Sequence, residues 1–94
     1  MTIEWTVLAL EDRDQIFAFI ASENPLSAVS VDIEIEEQIS QLVLFPKSGR
    51  IGRIEDTREL IINRTPYIAA YQIIDDKVIV LRVLHCAEIW PDEL

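Results

Sequence analysis

Apolar and polar residues alternate at the start of the chain, where Ile3, Trp5 and Val7 are separated by Glu4 and Thr6. A period of two is the pattern of a half-buried strand. From Ala9 the period lengthens. Ala9, Ile16, Phe17 and Ile20 share one helical face, with Glu11, Asp12 and Asp14 in the first turn, where acids suit the helix dipole. This helix is expected to end near Glu23. Asn24-Pro25 then reads as an N-cap followed by proline at the first helical position. A second helix follows from Pro25 to about Leu44, with Ala28, Val31, Ile35, Ile39 and Leu42 as its apolar stripe. Asp32, Glu36 and Glu37 lie off that stripe as a solubilising face. Phe45-Pro46 closes the helix, because a residue before proline disfavours helical geometry. So short a joint makes the two helices an αα-hairpin.

Residues 46–57 hold both glycines and no sustained period, which predicts a loop. Three extended runs follow, Arg58–Asn63, Tyr67–Ile74 and Lys77–His85. Thr65-Pro66 separates the first pair, and Asp75-Asp76 forms a two-residue turn between the second. Such joints make the strands antiparallel neighbours. The tail, with Trp90-Pro91, is a short cap. There is no repeat and no linker. The pattern predicts a single α+β domain over residues 1–94: an N-terminal strand, then a helical hairpin packed on an antiparallel sheet.

Composition narrows the function classes. Half the residues are hydrophobic, 27% are charged and only two are glycine, which excludes collagen-like, low-complexity and disordered chains. One cysteine, Cys86, permits neither an internal disulfide nor a cysteine-based zinc site. No apolar run approaches the ~18 residues of a membrane helix, and the N-terminus lacks a secretion signal. The reading is a soluble cytoplasmic protein with no membrane partner. The net charge of −9 is uneven. Residues 1–46 carry nine acids against one base, whereas residues 47–64 carry five bases against three acids. Phosphate neutralisation dominates nucleic-acid affinity, so the overall charge argues against direct nucleic-acid binding. A local anion contact at the basic segment stays open.

No phosphate-cradling glycine loop, metal-ligand set or cofactor motif is present in the sequence. Adjacent residues on a strand point to opposite faces, so His85 and Cys86 diverge rather than form a dyad. His85 ends a strand whose odd positions are Ile79, Leu81 and Val83, and is either a structural histidine or a general acid or base. Arg82, on the face of Val78, Val80 and Leu84, either pairs with a carboxylate or points at a ligand. Arg50, Arg53 and Arg58 are the densest positive charge. They form either a target-binding patch or a solvated loop paired with Glu55, Asp56 and Glu59. Tyr67 and Tyr71 share a strand face with Ala69, as sheet packing or as binding residues.

The runs Phe45-Pro46-Lys47-Ser48-Gly49-Arg50-Ile51-Gly52-Arg53 and Thr57-Arg58-Glu59-Leu60 resemble the ParE branch of the RelE/ParE toxin superfamily. So do Thr65-Pro66-Tyr67-Ile68, Tyr71, and Leu81-Arg82-Val83-Leu84-His85 followed by Trp90-Pro91. Ala9-Leu10-Glu11-Asp12 and Asn24-Pro25 extend the resemblance to the start of the chain. It implies the toxin of a type II toxin–antitoxin pair, with a ParD-like antitoxin whose disordered segment folds on binding. The ParE branch is associated with inhibition of DNA gyrase by protein contact, without catalysis. RelE-like relatives instead cut mRNA on the ribosome. On the ParE reading the target-binding candidates are Arg50, Arg53, Arg58, Arg82, His85 and Trp90, with no catalytic residue and no metal. On the RelE reading His85 is the general acid and Arg58 holds the phosphate. No second basic residue follows His85 and the tail has no tyrosine, which departs from the nuclease pattern. A third alternative is an inactive toxin that only scaffolds its antitoxin. The mean hydropathy of +0.21 is high for an acidic protein and implies an apolar surface awaiting cover, along the hairpin and the exposed sheet edge.

Overall fold

The computed structural model describes residues 1–94. Its elements are β1 (Thr2–Trp5), α1 (Val7–Ala21), α2 (Pro25–Ser40), β2 (Arg50–Ile51), β3 (Arg58–Ile61), β4 (Tyr67–Ile74) and β5 (Lys77–His85). Thr6 divides the first two. Its extended backbone and its Oγ1, which accepts from the Ala9 N–H at 3.1 Å, make it the N-cap of α1. The same hydroxyl donates to the Leu81 carbonyl at 2.8 Å. The expected strand through Val7 therefore stops at Trp5, and Val7 is a helical residue left 70% exposed. The helix starts two residues before Ala9, so Glu11, Asp12 and Asp14 miss the first turn. Ala9 is buried and Ile16 and Ile20 pack on the core, whereas Phe17, expected on that face, turns outward.

Asn24 caps α2 as its sequence position predicts, its side chain accepting from Ser27 N–H at 3.1 Å with Pro25 in the first turn. The stripe of Ala28, Ile35, Ile39 and Leu42 is buried. α2 ends at Ser40 rather than Leu44, because Gln41–Val43 tighten into a 3-10 turn ahead of Pro46. Asp32 and Glu36 are not simply solvated. Arg13 donates to Asp32 at 2.7 Å and to Glu36, and lies over the Trp5 ring at 5.1 Å, tying the two helices and β1 together. Gln38 clamps α2 to the turn after β3 through both the N–H and the carbonyl of Asn63.

Five strands form one sheet in the order β1-β5-β4-β3-β2. β1 pairs parallel with β5 and every other pair is antiparallel. The two extra pairings escape pattern reading for different reasons. β1 finds its partner some 75 residues away, as in Thr2 with Lys77, and β2 is only two residues long inside the expected loop. Asp75 and Asp76 form the expected two-residue turn, with Asp75 at φ 53. The β4–β5 register slips between Ala70 and Tyr71: Ala70 faces Arg82 but Tyr71 faces Val80, leaving Leu81 as a bulge. The bulge shifts the alternation. Val83 joins Val78 and Val80 in the core, and Arg82 leaves the valine row in which simple alternation places it. The core also takes in Tyr67, Ala69 and Tyr71 of β4. Ile68, Ala70 and Leu84, facing the other way, are buried as well. No helix is long and apolar enough to cross a membrane.

Candidate functional site

The six residues singled out from the sequence fall into three separate places. The first is built around Glu59 on β3. This side chain is almost fully buried, yet charged neighbours close on it from β2 and the following loop. Arg50 donates to its Oε1 at 2.9 Å, and Arg53 donates to Oε2 from both its backbone N–H, at 2.8 Å, and its guanidinium, at 3.0 Å. Burial alone would raise the carboxyl's pKa, but the Arg53 and Arg50 donors overcome it and hold the group at about 2. The Arg53 guanidinium also lies over the Trp90 ring at 3.6 Å, so the tail is pinned to the same cluster. The Trp90 indole N–H is buried there without an acceptor. Arg50, Arg53 and Trp90 are thus brought together, and their charge is spent on an internal partner. Glu55 and Asp56, the other acids expected to pair with these arginines, form no ion pair with them.

Arg58 has a different fate one residue earlier. It faces Tyr71 across β3–β4, and its guanidinium donates to the carbonyls of Gly49, at 2.8 Å, and Lys47. No carboxylate pairs with Arg58 or Lys47, and they are the two bases of the chain so placed. The loop beneath is held by the Tyr71 hydroxyl, which donates to the Pro46 carbonyl at 2.7 Å and accepts from the Gly49 N–H at 3.0 Å. A Cβ on Gly49 would meet that hydroxyl at 2.6 Å, so glycine is required by close approach. Burial raises the Tyr71 pKa, partly offset by the Gly49 N–H and by Arg58.

The third place is the end of β5. Beyond Val80 this strand has no neighbour on its outer side, since β1 covers only residues 77–80. Asp12 of α1 fills the gap. It takes the Arg82 guanidinium at 2.7 and 2.9 Å and the Val83 N–H at 3.0 Å. Those bonds to Asp12 raise the Arg82 pKa further. The next outward N–H, that of His85, is taken by Glu88 at 2.6 Å. The His85 Nδ1 accepts from Ala87 N–H at 3.0 Å, and its ring meets Tyr67 edge-on at 5.5 Å. Cys86 is exposed and does not pair with it. A cavity of about 320 Å³ opens here, lined among others by Asp12, Phe19, Tyr67, Arg82, His85 and Glu88. His85 and Arg58 belong to different places: their partners on β4, Tyr67 and Tyr71, are four residues apart, about 13 Å at strand rise.

No group of three or more His, Cys, Asp or Glu residues gathers to hold a metal. The expected pairing of the arginines with Glu59 and of Arg82 with a carboxylate is present; what the residue pattern missed is that Glu59 is buried and that Arg82's carboxylate is Asp12. From the sequence Glu59 reads as a solvated partner of the arginines at the start of a strand, and Asp12 as a helix-dipole acid. Their only sequence signal is position: Glu59 alternates with Arg58 in a strand, and Asp12 lies four residues before Ile16.

The sequence matches the family described as ParE toxin of the type II toxin–antitoxin system, parDE, over residues 3–90. The chain belongs to the ParE toxin family. Y4kP of Sinorhizobium fredii, named as a toxin, is 41% identical over 98% of this chain and 95% of its own length. Toxin RelE2 of Caulobacter vibrioides is 29% identical over 93% of this chain and 97% of its own. Among solved structures, the chromosomal ParDE system from P. aeruginosa superposes with a TM-score of 0.83 at 26% identity, covering 90% of this chain and 95% of that one. A chain of the intact E. coli RelBE toxin–antitoxin complex gives 0.68 at 16% identity, covering 94% and 98%, a likeness of fold. The RelE/ParE architecture expected from the sequence is therefore the one this ParE-family chain adopts.

Proposed function

We propose that this ParE-family chain is a cytoplasmic toxin that inhibits DNA gyrase by protein contact, without catalysis, and is neutralised by a cognate antitoxin lying along its helical hairpin and open sheet edge. The observation that carries the non-enzymatic reading is the separation of Arg58 from His85, with the His85 ring already engaged by Ala87 and Tyr67. Cleaving a phosphodiester requires the proton-transfer group and the charge-stabilising group at one reacting centre. Of the candidate contact residues, Arg58 is the one with charge to spare, since Arg50, Arg53 and Arg82 are each committed to a carboxylate.

A supercoiling assay with purified gyrase and antitoxin-free protein tests this reading. The expected result is inhibition or trapped DNA cleavage, weakened at least about tenfold by Arg58→Ala combined with Lys47→Ala in a folded variant. Absence of any effect on gyrase would overturn it. The second reading, an mRNA endoribonuclease with His85 as general acid and Arg58 on the phosphate, draws on the relative named RelE2. It requires His85→Gln to abolish cleavage on translating ribosomes. If gyrase and mRNA are both untouched, an inactive toxin that scaffolds its antitoxin is what remains.

A further inference from the structure

The outer face of the hairpin combines two features that together specify a partner. Leu26, Val29 and Ile33 follow a spacing of three and four residues, which puts them within about 60° of one another and opposite the buried stripe of α2. They are 83%, 46% and 48% exposed. On α1, Leu10 and Phe17 are also exposed and, with Arg13, Asp14 and Asp32 of α2, line a groove of about 300 Å³ between the helices, in which apolar and charged side chains are mixed. The second feature is charge. Residues 7–40 carry eight acids and one base, Arg13, which is already held by Asp32 and Glu36. Glu11, Asp14, Glu23 and Glu37 pair with no base.

We infer that this groove binds a basic amphipathic helix, a segment with apolar residues at helical spacing flanked by Lys and Arg. The inference rests on the toxin–antitoxin reading for the identity of the partner, but the chemistry comes from the surface. A second copy of the chain would bring another −9 against these acids. Nucleic acid and anionic lipid are repelled in the same way. A groove between two helices fits the apolar stripe of a third, and acids at its rim favour basic flanks, speed encounter and reject acidic competitors. The charge relation is fixed by this chain: an acidic toxin surface and a basic covering segment.

The test is selection of displayed peptides on the full-length protein. The library fixes leucine at helical spacing over 16 residues, the length of α2, and leaves the flanking positions free among Lys, Arg, Glu, Gln and Ser. Enriched peptides are expected to be net basic and to lose at least about tenfold in affinity from about 0.1 to 1 M NaCl, over which the screening length falls from about 10 to about 3 Å. Ile33→Asp, or Phe17→Asp if the first variant misfolds, should abolish their binding. Asp14→Lys with Glu37→Lys should weaken it and spare neutral controls. Enrichment of neutral or acidic peptides, no enrichment, or binders indifferent to these variants would overturn the inference. The gyrase assay reads the toxin reading separately: inhibition with neutral binders removes only the charge assignment, and basic binders on a protein inert towards gyrase remove only the target.

Discussion

The five cations between Lys47 and Arg64 and the eight acids of the hairpin make the chain electrically lopsided, and the fold treats the two sets in opposite ways. Three of the five cations are neutralised inside the molecule, Arg50 and Arg53 by Glu59 and Arg64 by Glu34. Half of the hairpin acids have no base at all, and the same two helices carry exposed apolar side chains. The segment that looks like a binding patch from its charge is mostly structural, and the segment that looks like a solvated helix face is the better docking surface. A charge count along the chain records how many groups there are. It does not record which of them remain available to a partner.

Charge reversal at two arginines gives the sharpest way to break this comparison. Arg53→Glu would set a second carboxylate against buried Glu59 and strip Trp90 of its cation, and is expected to cost about 3–5 kcal/mol in urea unfolding. Arg58→Glu loses only bonds to two carbonyls and should cost about 1 kcal/mol. Equal losses would mean that the two arginines are not distinguished by the buried acid. Acid titration comes next in size. Because Glu59 is held at about 2 against an ordinary 4.5, its contribution is complete above about pH 5 and drains away as the pH falls towards 2. The shift is worth about 3 kcal/mol. Glu59→Gln should flatten that part of the stability–pH curve, and an unchanged slope in the variant would contradict the assignment. A smaller effect than that of Glu59 concerns the free cation's support. Tyr71→Phe removes the hydroxyl that holds Pro46 and Gly49, and should cost about 1–2 kcal/mol by thermal unfolding.

Most of the architecture was legible because local signals agreed with the global fold. Asn24-Pro25 marked the joint between the helices, the α2 stripe ran to Leu42, and Asp75-Asp76 marked a turn. The errors arose where a second constraint imitated or overrode a local one. Val7 continued the alternation of Ile3 and Trp5, so a threonine that caps a helix looked like one more strand residue. At Leu81 a single bulged residue reversed the alternation and sent Arg82 to α1. Glu59 was legible as a partner of the arginines but its burial was not: an acid among arginines is ordinarily a surface group, and only the β2–β3 pairing over Ala70 buries it.

The pairing of β1 with β5 has a temporal meaning. The ribosome makes the helices early, yet β4 and β5, whose buried residues join Ile35 and Ile39 in the core, are made late, and the sheet cannot close until residues 77–80 meet the very first residues of the chain. Such separated contacts are slow to form. During synthesis the hairpin therefore spends its time with both its inner and its outer apolar stripes uncovered. The outer stripe is thus on offer to the proposed covering helix before the sheet that completes the fold exists.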